Sequence, residues 1–204
     1  MQVIRRGAEA EIRRGVWMGR EVILKSRVPK GYRHPELDGS LRVTRTKNEA
    51  RLIQEARRLG VPTPVIYDID TTDATLVMQE IKGPRVKDLL DGSGPEQRAK
   101  VCEEVGRLVG LLHKGGIAHG DLTTSNMIWS EDRVWFIDFS LGSKKAELEE
   151  LGVDLHLLRE AFQSAHSHIM ECFDIIIGSY RNSFPKAAEV LRKVKEIEDR
   201  GRYT

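Results

Sequence analysis

The chain has 204 residues, 40% of them hydrophobic and 31% charged, and its 33 lysines and arginines nearly balance 31 aspartates and glutamates. This length and composition predict a globular chain that buries a substantial core as one bilobal unit. The absence of an apolar run of roughly 18 residues, of a signal-peptide segment and of a Cys-x-x-Cys motif argues against a membrane span, secretion and a zinc or disulfide framework.

Short apolar runs in the first 82 residues predict a region rich in β-structure. One long helix, from Ser40 to Leu59, is expected between the third and fourth strands because Leu52, Ile53 and Ala56 recur at helical spacing. The last apolar run ends at Gly83-Pro84, which indicates a boundary there. The strands are expected at residues 3–6, 12–17, 21–25, 65–69 and 75–80.

Helical periodicity dominates the remaining residues. The apolar stripe that includes Val101, Val105 and Leu108 predicts that one face of a helix, from about Pro95 to Lys114, packs in the core. A short segment at residues 86–90 precedes this helix, and further helices are expected near residues 153–165, 169–180 and 185–199. A β-hairpin is expected from the apolar runs 127–129 and 134–137.

The most informative motif is His119-Gly120-Asp121-Leu122-Thr123-Thr124-Ser125-Asn126, followed by Asp138 within Phe-Ile-Asp-Phe. The predicted hairpin between these two parts brings Asn126 and Asp138 to neighbouring strand ends. Carboxylate and amide oxygens can hold magnesium against nucleotide phosphates, and a further carboxylate, Asp121, can position a nucleophile. The motif therefore predicts a phosphoryl-transfer site.

The same motif resembles the signature of the protein-kinase superfamily, His-Arg-Asp-Leu-x-x-x-Asn followed by Asp-Phe-Gly. Gly120 stands in place of the arginine, and Ser140 stands in place of the final glycine. The resemblance implies that Asp121 is the catalytic residue. It also implies that Asn126 and Asp138 bind Mg²⁺ beside bound ATP.

A second half of the predicted site lies upstream. Val22-Ile23-Leu24-Lys25 matches the Val-Ala-Ile-Lys strand whose lysine contacts ATP phosphates in kinases. Glu49 shares the apolar helical face of Leu52 and Ile53, and a carboxylate turned inward is costly unless it is paired. We therefore expect an ion pair between Lys25 and Glu49, as in active kinases.

The kinase resemblance also implies the fold class, an α+β, bilobal protein-kinase-like fold. Its β-rich N-lobe is expected at residues 1–82, with a five-stranded sheet and one long helix, and its reduced helical C-lobe is expected at residues 83–204. Gly7 would belong to the turn that covers the phosphates. The nucleotide-binding positions implied at the hinge are Met78, Glu80 and Ile81.

Two further features concern the predicted C-lobe. Only residues 139–150 separate Asp138 from the next predicted helix, and no Ala-Pro-Glu motif follows, so we expect no conventional peptide-binding groove. Asp154 has two interpretations. It can cap the N-terminus of a helix, or it can brace the catalytic loop from behind, as in kinases.

Charge is unevenly distributed along the chain. Residues 1–60 contain 15 lysines and arginines against 7 acidic residues, whereas residues 61–204 contain 18 against 24. Basic clusters can neutralise nucleic-acid phosphates, although a solvated helix face also explains such charges. One group of basic residues lies between the third predicted strand and the long helix, here called the basic insertion, and in that helix itself: Lys30, Arg33, Arg42, Arg45, Lys47, Arg51, Arg57 and Arg58. A second group lies in the C-terminal tail: Arg192, Lys193, Lys195, Arg200 and Arg202.

The insertion carries a closer resemblance. The run Pro29-Lys30-Gly31-Tyr32-Arg33-His34-Pro35-Glu36-Leu37-Asp38 resembles the signature of the small atypical kinase subunit of the KEOPS (EKC) complex, the Bud-type, p53-related-kinase-like family. The match spans nearly the whole chain, because other segments agree: Gly7-Ala8-Glu9-Ala10, the motif at 119–126, Val153-Asp154-Leu155 and Arg200-Gly201-Arg202.

This resemblance implies an ATP-dependent, Mg²⁺-dependent serine/threonine kinase and ATPase that supports threonylcarbamoyladenosine modification of transfer RNA. The implied partners are the threonylcarbamoyl-transferase subunit, other KEOPS subunits, and transfer RNA bound through the basic insertion and tail. We expect a soluble cytoplasmic protein, or a nuclear one in a eukaryote, with no membrane attachment. A small-molecule phosphotransferase and a non-catalytic docking module stay open as alternatives. The first would normally need a larger second lobe, and the second has no need for the five polar site residues.

Overall fold

The computed structural model describes residues 2–201, and the predicted tail residue Arg202 lies outside them. The first part of the chain forms the strands β1 (Gln2–Arg6), β2 (Ala10–Trp17), β3 (Arg20–Arg27), β4 (Ile66–Asp70) and β5 (Thr75–Gln79). They make one antiparallel sheet in the order β1-β2-β3-β5-β4. All five predicted strands are confirmed, with ends that differ by one or two residues.

The long helix α1 (Pro35–Arg58) packs on this sheet and begins five residues before the predicted start at Ser40. Pro35 suits the first helical turn, where a missing N–H is no loss, and acidic residues in that turn favour the positive helix end. The first turns are mostly polar, so the apolar periodicity behind the prediction starts later. Buried Leu52, Ile53 and Ala56 form the face that packs in the core.

A close backbone contact lies where the chain passes from the sheet to the helical part. The N–H of Trp129 donates to the carbonyl of Pro84 at 2.9 Å, and Arg85 forms an isolated bridge with Ile128. A Cβ on Gly83 would lie 2.0 Å from the carbonyl oxygen of Trp129, so this approach requires glycine. Gly83-Pro84 therefore lies where the chain passes from the sheet to the helical part. The division into lobes after residue 82 stays a prediction.

The helical part contains α2 (Val86–Gly92), α3 (Pro95–Lys114), α4 (Leu148–Ala165), α5 (Glu171–Ser183) and α6 (Ala187–Gly201). Every predicted helix is present. The start of α4 lies five residues before the predicted Val153, because Glu147 and Glu150 form a capping box there. Asp154 is the seventh residue of α4, so the capping interpretation of Asp154 is wrong.

Two short pairs of strands complete the helical part. The hairpin of β7 (Met127–Ser130) and β8 (Arg133–Phe136) confirms the prediction, whereas the pair of β6 (Ile117–Ala118) and β9 (Ser143–Lys144) was not predicted. Strands of two residues are too short to show a periodic pattern.

One apolar core connects the sheet-bound helix with the helical part. Its tightest helix pair is α3 with α5, where a Cβ on Gly106 would lie 2.2 Å from the carbonyl oxygen of Ile176. Glycine therefore permits the two helices to approach. Within residues 2–201, none of the helices has the length and apolar character needed to cross a lipid bilayer.

Candidate active site

Lys25 lies at the centre of a buried polar cluster between the sheet and α1. Its Nζ atom lies 2.7 Å from Glu49 Oε1, from Asp138 Oδ1 and from Ser140 Oγ. The side chains of Lys25 and Glu49 are only 5% and 2% exposed. The predicted ion pair is therefore present, and the same lysine joins it to the aspartate of the second motif.

Arg27 is a member of this cluster that the sequence interpretation missed. Its Nη2 atom lies 2.8 Å from Glu49 Oε2, and its side chain is buried. Because residues two apart on a strand point to the same face, Lys25 and Arg27 both reach Glu49 from β3. The two-residue spacing after Lys25 is the signal that could have identified it.

Asp138 has the left-handed backbone conformation, with φ of 64°. Ser140 donates to Asp138 Oδ1 through its hydroxyl at 2.6 Å and its N–H at 3.3 Å. Burial raises the pKa of Asp138, but the charge of Lys25 and the hydrogen bonds from Lys25 and Ser140 outweigh burial and lower that pKa to about 2. Asp138 is thus a carboxylate at neutral pH.

Asp121 and Asn126 are hydrogen-bonded to each other within residues 119–126, which correspond to the catalytic loop of kinases and are called the catalytic loop below. The amide Nδ2 of Asn126 donates to the Asp121 carbonyl at 2.9 Å and to Asp121 Oδ2 at 2.8 Å. Residues Thr124–Asn126 form one short 3₁₀ turn that leads into β7. Both donors of the amide are occupied, which leaves Asn126 Oδ1 as an acceptor.

Asp154 braces this loop from behind. Its carboxylate accepts the N–H of His119 at 2.6 Å and the N–H of Gly120 at 2.8 Å. Gly120 has φ of +81°, and a Cβ there would lie 2.1 Å from the Leu141 carbonyl oxygen. The bracing interpretation of Asp154 is confirmed, and this backbone approach leaves no room for the arginine found in kinases.

A cleft of about 370 Å³ lies beside this cluster, between the sheet and the helical part. It is lined by most of the predicted site residues, namely Lys25, Met78, Glu80, Ile81, Asn126 and Asp138. Asp121 adjoins the cleft through Asn126. Gly7 does not line the cleft; it closes a tight turn in which its N–H donates to the Ala10 carbonyl at 2.9 Å.

Glu80 contributes its side chain to the cleft wall. It forms an ion pair with Arg14 of β2, with 2.7 Å between Arg14 Nε and Glu80 Oε1. A larger surface cavity of about 870 Å³ lies elsewhere, against α3 and α5, and contains none of the predicted site residues. We therefore place the candidate site in the smaller cleft, where the charged groups converge.

The donor set of the cleft fits Mg²⁺. In the described part of the chain, the hydrogen bonds of Asp138 all go to Oδ1, which leaves Oδ2 for a ligand. Asn126 Oδ1 is the second oxygen donor. Magnesium prefers oxygen ligands and usually keeps water and phosphate oxygens beside one or two side chains, so two protein ligands suffice.

The segment between Asp138 and α4 is short and held at several points. Lys144 Nζ lies 2.7 Å from Glu55 Oε1 of α1, and the N–H of Ala146 donates to the Gly116 carbonyl at 3.0 Å. This part of the chain therefore contains no long activation segment.

The basic insertion is partly neutralised by neighbouring acidic residues. Asp38 is buried and lies 2.8 Å from Arg42 and 3.4 Å from Arg33. Glu9, in the turn after Gly7, pairs with Lys30 at 3.2 Å instead of lining the cleft. Burial raises the pKa of Asp38, but hydrogen bonds led by that from Arg42 outweigh burial and lower it.

Comparison with protein-family models gives a match to the RIO domain over residues 25–173. A protein of Pyrococcus abyssi named KEOPS complex subunit Bud32 is 44% identical over 212 residues, a match that covers all of this chain and 96% of that protein. The chain belongs to the Bud32 family of RIO-domain proteins.

Other relatives differ in length. A probable serine/threonine-protein kinase BUD32 homolog of Archaeoglobus fulgidus is 40% identical, over 97% of this chain and 94% of the relative. A probable bifunctional tRNA threonylcarbamoyladenosine biosynthesis protein of Methanothermobacter thermautotrophicus is 43% identical, over 99% of this chain but 36% of the relative. The chain thus spans about a third of the length of that bifunctional relative.

Solved structures share the fold at low sequence identity. The Rio2 kinase of Chaetomium thermophilum, in a complex with ADP/Mg²⁺ and phosphoaspartate, has a TM-score of 0.63 at 17% identity, over 98% of this chain and 72% of that one. WaaP in complex with acyl carrier protein has a TM-score of 0.65 at 17% identity, over 97% and 88%. The expected α+β protein-kinase-like fold is confirmed.

Proposed function

We propose that this Bud32-family chain binds ATP with Mg²⁺ and transfers the γ-phosphoryl group to water or to a protein hydroxyl. It acts as an ATPase and serine/threonine kinase that supports threonylcarbamoyladenosine modification of transfer RNA. The observation that carries this proposal is the convergence of Lys25, Glu49 and Asp138, joined through 2.7 Å contacts at Lys25 Nζ, on the cleft that also contains Asn126.

Each side chain has a role that suits its contacts. Met78, Glu80 and Ile81 bound the adenine end of the cleft, whereas Gly7 stays outside the cleft lining, in the turn between β1 and β2. Lys25, held by Glu49, presents its positive charge to the phosphates. Asn126 and Asp138 would hold Mg²⁺, which would supply positive charge to offset the negative charge of the phosphates.

Asp121 is the catalytic residue of this proposal. Its carboxylate orients the attacking oxygen and accepts its proton as the new O–P bond forms and the bond to ADP breaks. The hydrogen bond from Asn126 at 2.8 Å fixes the carboxylate next to the metal ligands. The first product is phosphate or a phosphorylated hydroxyl, and the second product is ADP.

Association with larger partners follows from the relatives. One relative is named as a KEOPS subunit, and another combines this chain's counterpart with further sequence in a bifunctional tRNA-modification protein. We infer that this chain works beside the threonylcarbamoyl-transferase subunit and other KEOPS subunits in the cytoplasm. Transfer RNA binds along the basic insertion, the exposed face of α1 and the basic tail.

The experiment follows γ-labelled ATP with wild-type protein and Asp121→Asn, each alone and with the transferase subunit and transfer RNA. We expect labelled free phosphate that rises with partner or RNA and falls by at least about a hundredfold in Asp121→Asn, which matches the usual contribution of a general base. The control is Asp132→Asn, because this carboxylate sits in the exposed β7–β8 turn.

Label on protein that also requires Asp121 would make the kinase reaction the main one. No turnover by wild-type protein in any mixture would overturn the proposal and favour the docking module. Labelling of small alcohols, without stimulation by partner or RNA, would favour the small-molecule phosphotransferase.

A further inference from the structure

Two arginines line the candidate cleft from opposite sides. Arg5 belongs to β1 of the sheet, and Arg85 immediately precedes α2 in the helical part. Both line the cleft together with Asn126 and Asp138. Neither arginine takes part in the reaction proposed above.

An irregularity in β1 turns Arg5 toward the cleft. The register between β1 and β2 shifts between Val3 and Arg5, so that Val3 lies opposite Arg13 and Arg5 lies opposite Ile12. In a regular strand, successive side chains point to opposite faces. Here Ile4 and Arg5 both line the cleft, which is the effect of a bulge that re-aims a side chain.

Arg85 is anchored by its backbone and by its side chain. The bridge to Ile128 fixes its main chain at the crossing between the two parts. Its guanidinium donates from Nη1 to the carbonyl of Ser125, the residue before Asn126. The positive charge therefore lies beside the catalytic loop, in the cleft that Asn126 and Asp138 also line.

The two guanidiniums lack the acidic partners that other cations of the cleft possess. Lys25 pairs with Glu49, and Arg14 pairs with Glu80. Among residues 2–201, no ion pair within 4.0 Å includes Arg5 or Arg85. Burial, followed by the nearby positive charge of Arg5, lowers the pKa of Arg85, although the charges of Asp138 and Asp88 act in the opposite direction.

We propose that Arg5 and Arg85 form an anion subsite for the phosphate chain of the nucleotide. An anion placed between two guanidiniums relieves their mutual repulsion and accepts charge-assisted hydrogen bonds from both. Because one arginine comes from the sheet and the other from the helical part, the bound phosphate joins the two parts. This inference rests on the proposed nucleotide binding and adds two residues to it.

The test is isothermal titration of the full-length protein with MgADP, MgATP and adenosine. Variants Arg5→Gln, Arg85→Gln and the double variant are compared with the wild type. Each single variant should bind MgADP and MgATP about tenfold more weakly, because each loses a charge-assisted hydrogen bond to the phosphates. Binding of adenosine should change by less than about twofold, since it carries no phosphate.

Two controls separate the subsite from a purely structural effect. Arg133→Gln removes an exposed guanidinium on β8 and should leave every affinity unchanged. Arg85→Lys keeps the positive charge and should lose less MgADP affinity than Arg85→Gln. Thermal unfolding of each variant shows whether it is folded.

Three results would overturn the inference. Equal losses for adenosine and MgADP would mean that Arg85 only supports the carbonyl of Ser125. Unchanged MgADP affinity in both single variants and the double variant would reject the subsite. Wild-type protein that binds none of the three compounds would overturn the proposed nucleotide binding itself, before any variant is considered.

Discussion

Glu49 is the residue on which the two buried cations of β3 converge. Lys25 contacts Oε1 and Arg27 contacts Oε2, each from a side chain that is 5% exposed. Taking such groups out of water is costly, and their mutual attraction offsets this cost only while every partner is present. Glu49 thus serves both positive charges, and Lys25 has a second carboxylate, Asp138, at 2.7 Å.

We predict that Glu49→Gln destabilises the protein by about 3–5 kcal/mol, because it leaves Arg27 buried without its carboxylate and leaves Lys25 with Asp138 alone. Chemical denaturation measures this loss, and nucleotide turnover should fall with it. The matched control is Glu21→Gln, whose pair with Lys82 is exposed and screened by solvent, so its loss should leave the stability almost unchanged. Equal stability losses in the two variants would contradict this account of Glu49.

Gly120 and Ser140, the two departures from the kinase motif, have separate structural reasons. Gly120 combines positive φ with a backbone approach to Leu141 that a side chain would block. Ser140 adds a hydroxyl that contacts Lys25 at 2.7 Å and Asp138 at 2.6 Å. In place of a flexible glycine, this position therefore contributes a polar side chain to the buried cluster.

At the scale of elements, α4 supports the catalytic loop at two places. Asp154, within its first half, accepts two N–H groups of the loop. His166, at its C-terminal end, is fully buried, and its Nε2 lies 3.2 Å from Thr124 Oγ1. The other ring nitrogen, Nδ1, lies 2.8 Å from Asp91 Oδ1. The helix thus fixes both ends of the segment that contains Asp121.

We predict that His166→Ala loosens the Thr124 end of the loop and lowers stability by about 1–3 kcal/mol, because it leaves a buried hydroxyl without its partner. Turnover of ATP at saturation should fall more than binding of MgADP, since Thr124 lies three residues after the catalytic residue Asp121. Denaturation, single-turnover kinetics and titration measure the three effects.

His156→Ala on the same helix is the control for this prediction. His156 is partly exposed and lies 3.4 Å from Glu160, with no contact to the catalytic loop among the described residues. A loss of MgADP affinity as large as the loss of turnover in His166→Ala would contradict the positioning role. His166 then would support the fold as a whole.

Some elements of the fold could be predicted from the sequence and others could not, for physical reasons. The spacing of apolar residues indicates which face of an element is buried. It therefore predicted strands β1 to β5, helix α3 and the Lys25–Glu49 pair. The polar start of α1 and the short pair β6 and β9 carry no such pattern. His166 acts through contacts with residues distant in sequence, which a single chain does not reveal. The kinase resemblance suggested the bracing role of Asp154, and the strand spacing after Lys25 could have identified Arg27.

At the scale of the whole molecule, the uneven charge of the sequence becomes one exposed basic stripe. Asp38 lies beside both Arg33 and Arg42 and offsets one of their two positive charges. Lys47, Arg51 and Arg58 lie on one face of α1, are exposed, and have no ion-pair partner among the described residues. This stripe, rather than the insertion as a whole, is the surface suited to nucleic-acid phosphates.

We predict that the triple variant K47A/R51A/R58A binds transfer RNA more weakly and that its affinity depends less on salt. Each lost phosphate contact should reduce the slope of log affinity against log salt by about 1, so the slope should fall by about 3. Filter binding at several salt concentrations measures both quantities. ATP turnover without RNA should be unchanged, because the stripe does not line the cleft.

The matched control for the stripe is K82A/R107A/K144A, which removes the same charge from residues that already have acidic partners. These cations are partly neutralised where they stand, so RNA binding should weaken less and the salt slope should change by less than about 1. Equal slopes for the two triple variants would mean that net charge alone governs binding. RNA would then have no preference for the exposed face of α1.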